Sequence, residues 1–95
     1  MTPMMEPTTI FRKRSDARYR NIGGEGIVVK QAAGEVLVLS EVGARVLDLV
    51  ETQTPVGAML ASLGEEYDID SSTLERDVNG YLEQLLEAGI IERAN

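Results

Sequence analysis

Ninety-five residues, of which 43% are hydrophobic, are enough for one domain with a single modest core. The chain has neither Cys nor His, which excludes disulfides, thiolate nucleophiles, imidazole bases and the usual zinc ligands, so we expect no catalysis, no metal and no cofactor. The formal net charge is −7, and residues 21–95 hold fourteen of the sixteen acidic side chains, which makes nucleic acid a poor partner for this part of the chain.

Residues 1–16 show neither helical nor strand periodicity, so we predict a flexible N-terminal arm before a domain over residues 17–95. A basic cluster in and after the arm is interpreted as solvated charge, with a nucleic-acid contact as the alternative; it consists of Arg12, Lys13, Arg14, Arg18 and Arg20. No segment has the pattern of a signal peptide or of a membrane span. We therefore expect a cytoplasmic protein with no membrane partner.

Three short runs of β-type sequence follow, at residues 19–22, 26–31 and 35–40. Gly23 and Gly24 separate the first two runs, and a stretch ending in Gly34 separates the second and third. Connections this short join neighbouring antiparallel strands. The pattern therefore predicts a three-stranded antiparallel meander.

After Ser40 the apolar period changes to that of a helix, which predicts a first helix from Ser40 or Glu41 to about Thr52. The pair Thr54-Pro55 predicts the N-cap and first residue of a second helix. Apolar residues at helical spacing define the inward stripes of these two helices: Val42, Val46, Leu49 and Val50 in the first, and Val56, Leu60, Leu63 and Tyr67 in the second, with Met59 filling the gap beside the second stripe.

A third and longest helix is predicted to begin near Asp70, with Asp70 and Ser72 both open as N-caps, and to end at Ala88-Gly89. Its inward stripe consists of Leu74, Val78, Leu82, Leu85 and Leu86. Ile90 and Ile91 are expected to form a short strand or an extended cover over the core. The element order predicts an α+β fold, a three-stranded antiparallel sheet followed by three helices, similar to a winged helix-turn-helix.

The order and spacing of several segments resemble those of the PqqD family of the pyrroloquinoline quinone (PQQ) pathway and of related leader-recognition domains. The segments are the strand-to-helix run at residues 36–43, the apolar and acidic run at 46–50, the helix start at Thr54-Pro55, and residues 66–68, 75–78 and 82–91. The resemblance implies a non-catalytic protein that binds the leader of a ribosomally synthesised precursor peptide. In that family the leader adds as an extra strand beside the third strand, in the cleft next to the last helix, and a modifying enzyme such as a radical SAM protein acts on it.

The third predicted strand is apolar on both of its alternating faces, although only one face can meet the helices. If it also lies at the sheet edge, it offers unpaired backbone groups to an incoming strand. The candidate peptide-binding residues are therefore Val36, Leu37, Val38, Leu39 and Ser40 on the strand, and Asp77, Gly80, Tyr81 and Gln84 on the third helix. Asp77, Tyr81, Gln84 and Ala88 share one flank of that helix, and Gly80 is a candidate for close approach by a peptide backbone.

Simpler structural interpretations of these residues stay open. The strand can be buried on both faces, Gly80 can be a tolerated surface glycine, and Asp77 can pair with Arg76 or Arg45. A second copy of the chain can also occupy the exposed strand edge and form a homodimer. The alternative functions are a winged-helix DNA-binding regulator and a small acidic carrier protein, in which Asp70-Ser71 would be the modification site.

Overall fold

The computed structural model describes residues 6–95. Its elements in chain order are β1 (Phe11–Lys13), β2 (Ala17–Ile22), β3 (Glu25–Lys30), β4 (Glu35–Leu39), α1 (Glu41–Glu51), α2 (Val56–Glu66), α3 (Ser71–Glu87) and β5 (Ile91–Arg93). The predicted α+β fold, with a three-stranded antiparallel sheet followed by three helices, is confirmed. None of the helices in residues 6–95 is long and apolar enough to cross a bilayer.

The sheet formed by β2, β3 and β4 is an antiparallel meander with β3 in the centre and β4 at one edge. Gly23 and Gly24 both have positive φ, 61° and 90°, in the two-residue turn between β2 and β3. Two successive positive φ values are typical of a type I′ turn, which glycine adopts without steric cost. The glycines that punctuate the sequence therefore set the register of this hairpin.

Helix α1 begins where the sequence predicted, because the Ser40 side chain accepts a hydrogen bond from the Gly43 N–H at 3.2 Å. Asp70 is the N-cap of α3 and accepts from the Thr73 N–H, which decides between the two candidates in favour of Asp70. The prediction for α2 was wrong by one residue: Pro55 is the N-cap, and the Thr54 hydroxyl bonds to Thr52 instead of capping the helix.

Helix α1 packs against β3 and β4, and α2 and α3 pack against α1, so that sheet and helices share one core. The largest fully buried side chains are Val28, Val46, Leu47, Val50, Met59, Leu63, Val78, Leu82 and Ile90. The inward face of α1 includes Leu47, whereas Val42 and Leu49 of the predicted stripe are only half-buried. In α2 it is Met59 that is fully buried, and Leu60 is half-buried. Both stripes are thus rotated slightly from the predicted ones.

A hydrogen-bonded pair fixes the sheet against α1. The Tyr19 hydroxyl lies 2.6 Å from Asp48 Oδ1 and 2.8 Å from the Ala44 carbonyl oxygen. Burial, together with the neighbouring Asp48 carboxylate, raises the pKa of Tyr19 well above its ordinary value. Next to this contact, a Cβ on Gly26 would lie 2.9 Å from Ala44 Cβ, so only glycine permits the observed approach of β3 to α1.

Residues 7–14, within the predicted arm, lie against the body of the protein. Strand β1 pairs with β5, and Phe11 is buried in the main core. The Val56 N–H donates to the Thr9 carbonyl and the Gly57 N–H donates to the Pro7 carbonyl, both at 3.0 Å. This segment therefore supplies acceptors for the first amides of α2, which its proline N-cap leaves without a side-chain partner.

A three-residue strand with one buried side chain is too short to show periodicity, so β1 could not be predicted from the sequence pattern. The expected short strand at Ile91 is confirmed, and its pairing with β1 was not foreseen. Residues 1–5 of the predicted arm lie outside the described residues. The flexibility of the arm stays a prediction, which a substitution of Phe11 can test.

Candidate functional site

Strand β4 has an open edge and an open face. It is the last strand of its sheet, so within residues 6–95 no strand pairs with the edge opposite β3. Val36 and Val38 are 64% and 67% exposed, whereas Leu37 and Leu39 face the helices and are half-buried. The strand is therefore not buried on both faces, and it presents unpaired backbone groups beside apolar side chains.

A groove of about 480 Å³ runs between the inward-facing side of β4 and the C-terminal half of α3. Its lining residues are Leu37, Val38, Leu39, Gly43, Tyr81, Gln84, Leu85, Glu87, Ala88 and Ile90. Most of these side chains are apolar, with Gln84, Glu87 and the Tyr81 hydroxyl as the polar groups. This composition suits a ligand that offers apolar side chains and a few hydrogen-bonding groups.

Tyr81 is held in place by contacts with the start of α1. Its hydroxyl lies 3.0 Å from Ser40 Oγ, and a Cβ on Gly43 would lie 3.3 Å from Tyr81 Cε1. Glycine at position 43 thus allows the ring to lie against the α1 backbone. Because Ser40 also caps α1, the same hydroxyl links β4, α1 and α3 at one end of the groove.

The structure brings five of the nine predicted site residues to this groove. Leu37, Val38, Leu39, Tyr81 and Gln84 line it, and Ser40 contacts it through Tyr81. Val36 is exposed on the opposite face of the sheet, and the alternation along β4 points the Val38 side chain to that face too, so Val38 borders the groove at the strand edge. Asp77 and Gly80 are not among the lining residues.

The surroundings of Asp77 and Gly80 bear on whether these residues have a structural role or are open to a ligand. Asp77 is exposed and forms no ion pair with any of residues 6–95, and Arg45 instead pairs with Asp48 and Glu66. A Cβ at Gly80 would meet nothing within 4 Å. Gly80 therefore borders open space, where a peptide backbone or water can approach.

Five lining residues lie outside the nine predicted site residues: Gly43, Leu85, Glu87, Ala88 and Ile90. Leu85, on the predicted inward stripe, and Ile90, in the predicted cover over the core, are both buried and also line the groove. Ala88 lies on the predicted flank with Tyr81 and Gln84, and Glu87 lies three residues after Gln84, so helical spacing could have found Glu87 as well. Gly43 carries no local signal, because its role depends on how α1 approaches α3.

A smaller hollow of about 380 Å³ continues the groove past the end of β4. It shares Val38 and Leu39 with the groove and adds the carboxylates of Glu25 and Glu41. Both hollows are lined by the C-terminal part of β4, residues 37–39. The negative charge at this end favours a ligand that carries a basic group there.

Further from the groove, an ion pair joins α1 to α2. Arg45 Nε and Nη2 donate to the two carboxylate oxygens of Glu66 at 2.8 and 2.7 Å. Hydrogen bonding to Arg45 lowers the pKa of Glu66 from its ordinary value. Among residues 6–95 no group of three or more His, Cys, Asp or Glu side chains is arranged to hold a metal ion.

Comparison with solved structures finds the same fold in two proteins. The structure of TbiB1 in complex with the TbiA(beta) leader peptide matches with a TM-score of 0.80 and 23% identity, covering 85% of this chain and 94% of that one. Lasso peptide synthetase B1 complexed with the leader peptide matches with a TM-score of 0.78 and 20% identity, covering 86% and 96%. At these identities the similarity shows the fold.

No curated protein matches the chain. The family model for coenzyme PQQ synthesis protein D matches residues 25–91, which include β3, β4, all three helices and the first residue of β5. The matched range contains every residue of the groove. The chain therefore belongs to the PqqD family.

Proposed function

We propose that the protein binds the leader of a ribosomally synthesised precursor peptide in the groove between β4 and α3, and presents the peptide to a modifying enzyme. The observation that carries the proposal is the open edge of β4 beside an apolar groove. The leader would add as a further strand to β4 by β-augmentation. Backbone pairing would supply affinity, and the groove would receive alternate leader side chains.

The family and the two structural neighbours support this proposal. Both neighbours were solved with a leader peptide, and each shares the fold of this chain over more than four fifths of its length. The chain has no His or Cys, and a binding role without a catalytic step or cofactor agrees with this composition. Binding would take place in the cytoplasm, where the precursor is made.

The proposal leaves the product and the enzyme to be found by experiment. A radical SAM enzyme and PQQ are what the family resemblance implies, and a lasso peptide is what the name of one structural neighbour suggests. The precursor and enzyme genes beside the gene for this chain would supply the reagents for the tests.

DNA binding is disfavoured by the charges of the described residues. Three cations of the basic cluster are already in ion pairs: Arg12 with Glu92, Lys13 with Glu51, and Arg14 with Asp16 and Glu92. The exposed side of α3 carries several carboxylates. A carrier role is disfavoured because Asp70 is occupied as the N-cap of α3 and accepts from Ser72 Oγ.

Titration of a fluorescent leader by anisotropy tests the proposal. Ala88→Trp would place an indole in the groove, and we expect it to weaken leader binding at least tenfold. Ala58→Trp, on the exposed face of α2, is the matched control and should leave the Kd within about twofold. Equal effects of the two variants, or no binding by the wild-type protein, would contradict the proposal.

The same titration at two salt concentrations tests the electrostatic part. A leader with Lys or Arg beside its apolar residues should associate faster at low salt, because Glu25, Glu41 and Glu87 border the β4 edge and the groove. A leader with these cations replaced by Gln should lose the salt dependence. An association rate that does not respond to salt would count against a role for these carboxylates.

A further inference from the structure

The face of the β2–β3–β4 sheet that points away from the helices carries an apolar surface, here called the outer patch. It consists of Ile22, Ile27, Val29, Val36 and Val38, which the strand register places on one face. Val36 and Val38 lie directly opposite Val29 and Ile27. Ile22, Val36 and Val38 are more than half exposed, at 59%, 64% and 67%, so nothing within residues 6–95 covers them. An exposed cluster of β-branched residues is unusual on a monomer and marks an interaction site.

Two arginines border the outer patch along β2. Arg18 lies opposite Val29 and Arg20 lies opposite Ile27, and both are exposed. Neither forms an ion pair with any of residues 6–95. On a chain with a net charge of −7, this face is therefore locally basic beside its apolar strip.

A second copy of the chain is a poor complement to this face. A symmetric pair would bring four guanidinium groups into or next to the interface, from Arg18 and Arg20 of each copy. The carboxylate that this face offers is that of Glu25, opposite Ile22, which supplies only two negative charges to such a pair. Guanidinium groups left without partners beside a buried apolar surface are unfavourable.

We propose that the outer patch docks the enzyme that modifies the bound peptide, through an enzyme surface with an apolar centre and a rim of Asp or Glu side chains. The apolar centre of the enzyme surface would complement the outer patch, and its acidic rim would complement Arg18 and Arg20. The assignment of the partner as the modifying enzyme rests on the proposed leader-binding function.

The outer patch and the groove share strand β4, so an enzyme docked on the patch would lie next to the bound leader. Val36 and Val38 belong to β4, the same strand whose Leu37 and Leu39 face the groove. Because side chains alternate along a strand, a leader paired with β4 would place every second side chain beside Val36 and Val38. An enzyme on this face would then contact both the domain and the leader that it carries.

Biolayer interferometry with the purified modifying enzyme encoded beside the gene for this chain tests the proposal. Arg18→Glu/Arg20→Glu should weaken enzyme binding at least tenfold and reduce its dependence on salt. Ile22→Thr should weaken it about threefold without altering β4. The matched control is Arg76→Glu/Arg93→Glu, which makes the same charge change at exposed arginines outside the patch and should have less than a twofold effect.

Leader binding, measured by anisotropy on the same proteins, separates this proposal from the previous one. Arg18→Glu/Arg20→Glu should leave leader affinity within about twofold, because neither arginine lines the groove. A wild-type protein that binds leader but not the enzyme would overturn the docking proposal alone. Equal losses in the patch variant and the control would also overturn it, since they would reflect net charge.

Sedimentation analysis of the wild-type protein and of Ile22→Thr addresses the second copy. We expect both to be monomers at micromolar concentration. A wild-type dimer that Ile22→Thr dissociates would assign the patch to self-association and overturn the docking proposal.

Discussion

Replacing Tyr81 tests the wall that α3 contributes to the groove. Tyr81→Ala removes a half-buried ring that lines the groove, and truncating an aromatic binding hot spot typically costs about 2 kcal/mol of binding free energy. The expected result is an increase of about 30-fold in the Kd for the leader. Tyr81→Phe keeps the ring and loses only the 3.0 Å contact with Ser40, so it should raise the Kd for the leader only two- to fivefold, which corresponds to about 0.5–1 kcal/mol of binding free energy.

Anisotropy with labelled leader measures both variants, and thermal unfolding shows that each is folded. Tyr67→Ala is the matched control, because Tyr67 is also half-buried, has its hydroxyl 3.4 Å from Glu41, and does not line the groove. Its leader affinity should stay within about twofold of wild type. A Tyr81→Ala protein that is folded and binds as tightly as the control would refute the assignment of this wall.

Three further predictions concern stability. Phe11→Ala should lower the free energy of unfolding in urea by about 3 kcal/mol. A loss below about 1 kcal/mol would mean that β1 is mobile, in agreement with the predicted flexible arm. Gly89 has a φ of 71°, so Gly89→Ala should lower the free energy of unfolding by about 1 kcal/mol. Gly80 lies inside α3 beside open space, so Gly80→Ala should raise the free energy of unfolding by a similar amount. Equal effects of the two substitutions would contradict this difference in backbone conformation. Because Arg45 lowers the pKa of Glu66, the ion pair should stabilise the fold above the ordinary carboxylate pKa and lose this effect as the pH falls through the lowered pKa. Glu66→Gln should therefore reduce the free energy of unfolding by about 0.5 kcal/mol at pH 7 and not at all at pH 2. A reduction that does not depend on pH would contradict this.

The main elements could be predicted because their signals are local. Gly23 and Gly24 fix the turn between β2 and β3, and Ser40 and Asp70 cap helices through contacts with residues three positions away. The third strand could be chosen as a binding edge because both of its faces are apolar. Each of these features depends on residues that are close together in the sequence, so each can be predicted from the sequence alone.

What the sequence did not reveal depends on contacts between distant residues. The acceptors for the first amides of α2 come from Pro7 and Thr9, more than forty residues earlier in the chain. Gly43 lines the groove only because Tyr81 lies against it, and Asp77 misses the groove although it is one turn from Tyr81. Helical spacing gives the face of a helix, but not how far along its length a neighbouring strand extends.

Amide hydrogen exchange with and without the leader tests β-augmentation most directly. Pairing of the leader with β4 predicts slower exchange in residues 35–39 on binding, since their unpaired N–H groups gain acceptors, and little change in β1 and β5 at the other sheet. Binding of the leader with unchanged exchange in residues 35–39, and protection elsewhere, would contradict it.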